Sequence, residues 1–505
     1  MTDRRYAKYA RLVLSFVPDG LCWRGWGIAV LVLLLVGGCH PSSPAPQAPL
    51  DAFTAHLDER VPALMQSYDV PGVSMALIRD GKRVWTGAYG YADRASGRRM
   101  TTEAVFRGES ISKPVTAWGV MTLVEAGRLN LDAPVQQYLD DWSFPASAFD
   151  AGTVTVRQLL SNSAGLSLGI IGEEYRPQDR IPSLRTYLTR EVRLVREPGT
   201  EFAYSNAGFN LLELLVEEVT GRDFAAYMAE EVLQPLGMQR SGFAWADSLE
   251  PVVPTGYDLE GAPVPIYVYP GTASGGLFAD VEDIARFVQA EVTDSAGHDV
   301  LTRDRVRQLH TPQVPIPGLF GIVADAYGLG HFVETLPNGR RAVWHGGQGH
   351  GWMTHIHAVP ESGDGIVILT NSQRTWPFMA RVLTDWAQWS RNEAVKMGRI
   401  SDGITALWGL VGLIGLATLW GGGRLIRGVY RGRRQWGPLA PSSRVVRMLQ
   451  LALGIGILAG LSWSAAQPYL MVSSIFPATV HWVGTSLVGG AAVLILLALF
   501  PRRKT

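Results

Sequence analysis

The spacing of apolar and polar positions changes along this chain, and the changes mark out its elements. Residues 51–68 carry apolar side chains at helical spacing and predict an amphipathic helix. Two runs rich in strand formers follow, 73–78 and 84–91, on either side of Asp80-Gly81, a dipeptide suited to a tight hairpin. From Val115 to about Leu236 helical periodicity dominates, punctuated at Pro198-Gly199 and Gly221. Strand patterning returns at 342–345, 353–359 and 365–370, and an apolar helix from Trp376 to about Trp389 ends the series. Strands at both ends with helices between predict one sheet assembled from distant parts of the chain, plus a mainly helical insert. That is an α+β arrangement without internal repeats.

Four apolar stretches stand outside this domain. Residues 404–420, 449–463 (extending to about 469) and 483–500 lack internal charge, and each approaches the roughly 20 residues that cross about 30 Å of hydrocarbon. They predict three transmembrane helices across 403–500; buried core helices fit less well, because the segments are consecutive and their flanking charges sort by side. The loop after the first carries Arg424, Arg427, Arg431, Arg433, Arg434, Arg444 and Arg447, the tail carries Arg502, Arg503 and Lys504, and 462–482 has no Lys or Arg. The positive-inside preference therefore puts the arginine-rich loop and the C-terminus in the cytoplasm and everything before residue 404 outside, with Arg391, Lys396 and Arg399 running against it.

The fourth stretch, 28–36, follows Arg4, Arg5, Lys8, Arg11 and Arg24 and ends in Val36-Gly37-Gly38-Cys39. This reads as a signal peptide over 1–39, closing on a sequence similar to a bacterial lipobox that would make Cys39 the lipidated first residue. The long basic region leaves an uncleaved signal anchor or an over-called start codon open. Residues 40–50, with Pro41, Pro44, Pro46 and Pro49, suit an extended tether. The expected product is an exported domain, 51–395, on the periplasmic side of a bacterial inner membrane, in contact with the lipid bilayer.

Charge excludes one class of partner. Acids and bases balance at 45 each, so no global field recruits nucleic acid. With Cys22 before the apolar stretch and Cys39 as the only other cysteine, no disulfide framework is expected.

Three constellations carry chemistry. Ser110-Ile111-Ser112-Lys113 sets a hydroxyl and an amine three residues apart, neighbours on a helix, where a desolvated amine can activate the serine. Tyr204-Ser205-Asn206 offers a phenol that an adjacent cation would draw toward phenolate, as a general base, and an amide that both donates and accepts. His345-Gly346-Gly347 ends a strand run, with glycines that admit close backbone approach. Each alone has a bland reading: a solvated helix face, a core aromatic, a strand-end histidine.

Together and in this order they resemble the serine β-lactamase and penicillin-binding-protein-like hydrolases, near the class C β-lactamases. The matching pieces are Val70-Pro71-Gly72-Val73, 106–113, Leu159-Leu160 to Gly165-Leu166, 202–208, Gly275-Gly276-Leu277 with Asp283 and Arg286-Phe287, His345-Gly346-Gly347, Pro360-Glu361 and Leu369-Thr370-Asn371. The resemblance implies a β-lactamase/transpeptidase-like fold, an antiparallel sheet flanked by helices plus a mainly helical lobe. It implies Ser110 as acylated nucleophile, Lys113 as its proton partner, Tyr204 as general base, and Asn206 as orienter. His345 and Gly346 stand where relatives have the Lys and Thr of K-T-G, which puts recognition of a substrate carboxylate in doubt. The implied oxyanion donors are the backbone N–H groups of Ser110 and of Gln348, after Gly347. Asn162 replaces a usual histidine and is not expected to be catalytic.

An exported domain followed by three transmembrane segments further resembles the membrane-bound prodrug-activating peptidases, including the colibactin-maturation type, which cleave an acylated D-asparagine cap. The expected activity is a membrane-anchored serine hydrolase, a peptidase/amidase or esterase acting on a small-molecule or peptide substrate. A β-lactam-binding sensor, a true β-lactamase or DD-carboxypeptidase, and a non-catalytic binding protein are the rivals. No cofactor is expected and no metal, since His345, His350, His355 and His357 lack carboxylates at zinc-motif spacing. Oligomeric state is left open.

Overall fold

Asp80 and Gly81 take left-handed backbone, with φ of 50° and 73°, and fold β1 (Gly72–Arg79) and β2 (Lys82–Asp93) into the expected hairpin. The computed structural model describes residues 48–502 apart from 171–172, 294–298, 319, 393, 438–443 and 467–474. The expected signal peptide, Cys39 and most of the 40–50 tether lie outside the described residues, as does the extension of the second apolar segment to 469.

Helix α1 (Leu50–Tyr68) precedes the hairpin, and β3 (Arg98–Arg99) extends it. The insert then runs through β4 (Phe106–Arg107), α2 (Ser112–Glu125), α3 (Val156–Leu160), α4 (Leu184–Glu191), α5 (Asn206–Thr220), α6 (Phe224–Met228), β5 (Gly256–Tyr257), β6 (Pro263–Val264), β7 (Phe278–Ala279), α7 (Val281–Val292) and α8 (Arg303–Leu309). The chain returns to the sheet with β8 (Val314–Pro315), β9 (Ala326–Tyr327), β10 (Phe332–Thr335), β11 (Arg341–Gln348), β12 (Met353–Val359) and β13 (Asp364–Thr370), and α9 (Trp376–Trp389) follows.

Among the described residues, nine strands form the main sheet in the order β3-β2-β1-β13-β12-β11-β10-β9-β8. The pairing Val73↔Thr370 joins the two ends of the domain, as the sequence predicts. Strand β1 is buried along both faces, and its alternate residues enter different cores: Met75 and Leu77 pack with α1 and α9, Ala76 and Ile78 with the helical insert. Helix α2 lies deepest in the insert, buried on nearly every side, so its sequence carries no amphipathic stripe.

After α9, Val395, Met397 and Ile400 remain buried in the sheet's outer core, and the chain runs directly into α10 (Arg399–Tyr430). Helices α10, α11 (Arg444–Ala465) and α12 (Pro477–Leu499) contain the three segments long and apolar enough to cross a membrane, by length and composition. They expose large apolar side chains such as Leu413, Leu419 and Leu449. Gly421 and Gly454 meet Val493 and Ile495 of α12 at close quarters.

Helix α1 is held to α9 by Phe53 stacked on Trp389, centroids 4.3 Å apart and planes within 5°. Phe53→Ala is expected to lower unfolding stability by about 3–5 kcal/mol, read by chaotrope denaturation of the full chain. An unchanged midpoint would show that this contact does not hold α1.

Candidate active site

The turn that carries Ser110 is clamped from both sides through Gly108. Gly108 N donates to Leu277 O at 2.7 Å, and Gly108 O accepts from Thr354 Oγ1 at 2.7 Å, tying the end of β4 to the insert on one side and to β12 on the other. A single 3₁₀ turn, Glu109–Ile111, then leads into α2, so Ser110 and Lys113 lie one turn apart. Lys113 Nζ is 3.0 Å from Ser110 Oγ, the contact that the spacing predicts.

Lys113 has no exposed surface. Its amine donates to Asn206 Oδ1 at 2.8 Å and to Ser274 O at 2.7 Å. Both carbonyls can only accept, so a neutral amine that spends its two N–H bonds there turns its lone pair toward Ser110. Burial favours that state: it lowers the lysine from 10.5 to about 7, against the opposing pull of Glu109 and Glu191.

Tyr204, Ser205 and Asn206 are set by the start of α5. Ser205 Oγ accepts from Gly208 N at 3.0 Å and donates to Ser167 O at 2.6 Å, capping the helix and anchoring it to the 159–167 segment. Asn162, at φ 52°, accepts from Ser205 N at 2.9 Å through Oδ1. It is therefore a support of the Tyr204 segment.

Tyr204 hydrogen-bonds Ser110, and its ring centroid lies 4.9 Å from Lys113 Nζ. Loss of water around the half-buried phenol raises its pKa well above the ordinary 10, with the Ser110 hydrogen bond opposing. The expected phenolate is thus corrected. Lys113 is itself desolvated and near half-charged at neutral pH, so it supplies too little positive charge to ionise its neighbour. Tyr204 keeps its proton.

Strand β11 presents His345 and Gly347 to the insert, and Gly346 and Gln348 to α9. A Cβ on Gly346 would lie 2.6 Å from the Trp376 ring, and Gln348 Oε1 accepts from Trp376 Nε1 at 3.0 Å. A Cβ on Gly347 would lie 2.1 Å from Thr354 Oγ1 and 2.4 Å from Gly108 O, so this close approach requires glycine. The Gln348 side chain turns away from Ser110, leaving its main chain as the part that could serve substrate.

His345 is fully buried. Nδ1 donates to Gly346 O at 3.0 Å, which leaves Nε2 to accept from the Tyr327 hydroxyl at 3.1 Å. Burial, with Lys113 adding to it, holds His345 well below 6.5. His345 is therefore neutral, because the hydrogen bond to Gly346 O is too weak to offset its desolvation.

Several residues around the site escape motif reading. Glu109, immediately before the nucleophile, is 2 % exposed at φ 49°, paired with the buried Arg107 at 2.7 Å and bonded by the hydroxyls of Tyr267 and Tyr269. The available signal was the charged pair Arg107 and Glu109 following the apolar residues 104–106 just before Ser110. Asn210 links Ser274 N to Glu191, whose carboxyl burial pushes up to about 7.

Two of the histidines, His350 and His357, do lie against carboxylates that sequence spacing hides. His350 meets Glu174 at 3.2 Å and His357 meets Glu334 at 3.3 Å, while His355 and His357 pair at 3.4 Å on the sheet face toward α9. Among the described residues, Glu291, His310 and His331 form a buried group with metal-competent atoms. His310 Nε2 hydrogen-bonds Glu291 Oε2 at 2.7 Å, His331 Nε2 lies 3.0 Å from the same oxygen, and Trp118 Nε1 donates to Oε1.

A family model described as Beta-lactamase matches residues 57–387. Protein flp of Staphylococcus aureus strain N315 is 24% identical over 326 residues, 62% of each chain, so this chain spans less than two thirds of that relative's length. Penicillin-binding protein 4 of Amycolatopsis lactamdurans is 28% identical over 328 residues, covering 63% of this chain and 85% of the relative. Among solved structures, the octameric penicillin-binding protein homologue from Pyrococcus abyssi aligns with TM-score 0.57 and 27% identity over 68% of this chain and 79% of its own. The penicillin binding protein from Bacillus halodurans aligns with TM-score 0.51 and 25% identity, over 62% and 94%. The family match takes in more than half of the chain and the whole constellation from Ser110 to Gln348, and on that ground this chain belongs to the beta-lactamase family of penicillin-binding-protein-like proteins.

Proposed function

We propose that this chain is a membrane-anchored serine hydrolase, a peptidase/amidase or esterase that acts through an acyl-enzyme at Ser110. The carrying observation is the Lys113 amine, whose two carbonyl acceptors leave its third direction for Ser110 Oγ at 3.0 Å. Lys113 takes the Ser110 proton as Oγ adds to the substrate carbonyl carbon. The oxyanion that forms is met by the backbone N–H groups of Ser110 and Gln348, each such donor worth about 3 kcal/mol. Tyr204, protonated at neutral pH, gives its proton to the leaving group as the carbonyl re-forms, and regains one from Lys113. Water then resolves the ester by the same steps in reverse.

Two observations favour substrates without a carboxylate beside β11. His345 is neutral, and the side of Gly346 is filled by Trp376. They support an uncharged ester or amide over a β-lactam or a D-Ala-D-Ala terminus. The three apolar helices support anchoring in a membrane; the arginine-rich stretch 424–447 supports a catalytic domain on the outer side, with Cys39 as a second, lipid anchor. An acylated D-asparagine cap is the specific substrate that this architecture favours.

Ser110→Ala is expected to abolish labelling by a fluorophosphonate probe and to lower kcat/KM for a p-nitrophenyl ester by about 10³-fold or more. Labelling unchanged in that variant would reject the nucleophile. The depressed lysine is an ammonium below about pH 7 and a free base above it, so kcat/KM should climb from pH 5 to pH 8 with a midpoint near 7. A profile flat over that interval would reject Lys113 as the base. Across N-acyl-D-Asn, D-Ala-D-Ala and cephalosporin substrates, the first should turn over fastest, and turnover of the cephalosporin alone would return the reading to a β-lactamase.

A further inference from the structure

We propose that Glu109 is a positioning residue that sets the two oxyanion donors against each other, acting through the Tyr267 hydroxyl on the turn after Gln348. The inference rests on the acyl-enzyme reading of Ser110.

Glu109 contributes the carbonyl half of the peptide whose N–H belongs to Ser110. Its backbone is left-handed, at φ 49°, a conformation that a residue with a side chain holds only when its surroundings enforce it. Besides the Gly108 clamp and the Ser112 N–H to Glu109 O bond of the turn, its hydrogen bonds fall on the carboxylate. Oε1 accepts from Arg107 Nε at 2.7 Å and from the Tyr267 hydroxyl at 3.0 Å, and Oε2 accepts from the Tyr269 hydroxyl at 3.2 Å.

The Tyr267 hydroxyl then accepts from His350 N at 2.9 Å. A Cβ on Gly349 would lie 2.3 Å from the Glu109 carboxyl carbon, so the turn sits directly on this side chain. One carboxylate therefore fixes the peptide that carries the first donor and, through one hydroxyl, the turn that follows the second.

A bare carboxylate under an oxyanion would oppose the charge forming there. Arg107 neutralises it: the guanidinium is 1 % exposed, its centre lies 4.0 Å from the Tyr267 ring centroid, and it also donates to Tyr267 O. The brace thus supplies rigidity without net charge, as a donor pair aimed at a transition state requires.

Tyr267→Phe tests this in the full chain, since it keeps the ring over Arg107 and removes only the linking hydroxyl. With a p-nitrophenyl ester, kcat is expected to fall about 10-fold with KM within about twofold. Inhibition by phenylboronic acid, whose tetrahedral serine adduct puts an oxygen in the oxyanion position, should weaken by the same factor. Glu109→Gln should show the same split, and the losses should overlap in the double variant rather than multiply. Unchanged kcat and boronate affinity in Tyr267→Phe, or multiplying losses, would overturn the proposal, provided Ser110→Ala is inactive. Activity retained in Ser110→Ala would instead remove the acyl-enzyme reading and this inference with it. If Glu109→Gln does not fold, Tyr267→Phe decides alone.

Discussion

Withdrawing the Lys113 amine from water is the constraint on which the rest of this site depends. Moving a lysine from 10.5 to about 7 corresponds to a penalty on the order of 5 kcal/mol against its charged form. Only a dense setting can impose that. Helix α2 supplies it by lying inside the insert, with Lys113, Trp118 and Val115 all without exposed surface. The amine keeps two good acceptors, Asn206 Oδ1 and Ser274 O, and these come from the start of α5 and the loop before β7. Three separate parts of the chain must therefore close on one nitrogen before its lone pair has a direction.

The same dryness decides the character of the neighbours. Tyr204 stays a phenol and His345 a neutral imidazole, because desolvation outweighs the single hydrogen bond that favours each charged form. Close to Ser110, Arg107 and Glu109 form a buried ion pair whose opposite charges offset each other. A pocket in which lysine, tyrosine and histidine can all be uncharged at neutral pH leaves Lys113 as the group poised to take up or give a proton there. It is poorly suited to gripping an anion.

Much of the scaffold was legible because it rests on local rules. Asp80-Gly81 names its own hairpin, and β12 and α9 occupy the runs their periodicity marks. The two-residue and four-residue strands β8, β9 and β10 are too short to show a period. In the site, Ser110 and Lys113 are readable as neighbours because a helix turn fixes their separation. Tyr204 misled for the converse reason: nearness to a lysine says nothing about how much water either has lost. Glu109 takes its meaning from Tyr267 and Tyr269, 158 and 160 residues away in the chain, so no local pattern could announce it. His357 and Glu334 are likewise joined only by sheet register, through Trp344↔His357 and Phe332↔Trp344.

The root of α10 bears on how the domain is carried. Lys396 N donates to Glu334 Oε2 at 2.8 Å, Lys396 Nζ pairs with Asp325, and Arg399 Nη1 donates to Ile322 O at 3.0 Å, while Val395, Met397 and Ile400 are packed into the core. The apolar helix therefore starts as part of the beta-lactamase-family domain rather than at the end of a flexible leash. Its 32 residues make a rod about 48 Å long, at 1.5 Å per residue. A tilt of about 10° in such a rod swings its far end by about 8 Å, and the sheet at its root must turn with it. The compass bearing of the cleft is thus a property of the helix axis: whatever sets the lean of α10 also aims the serine.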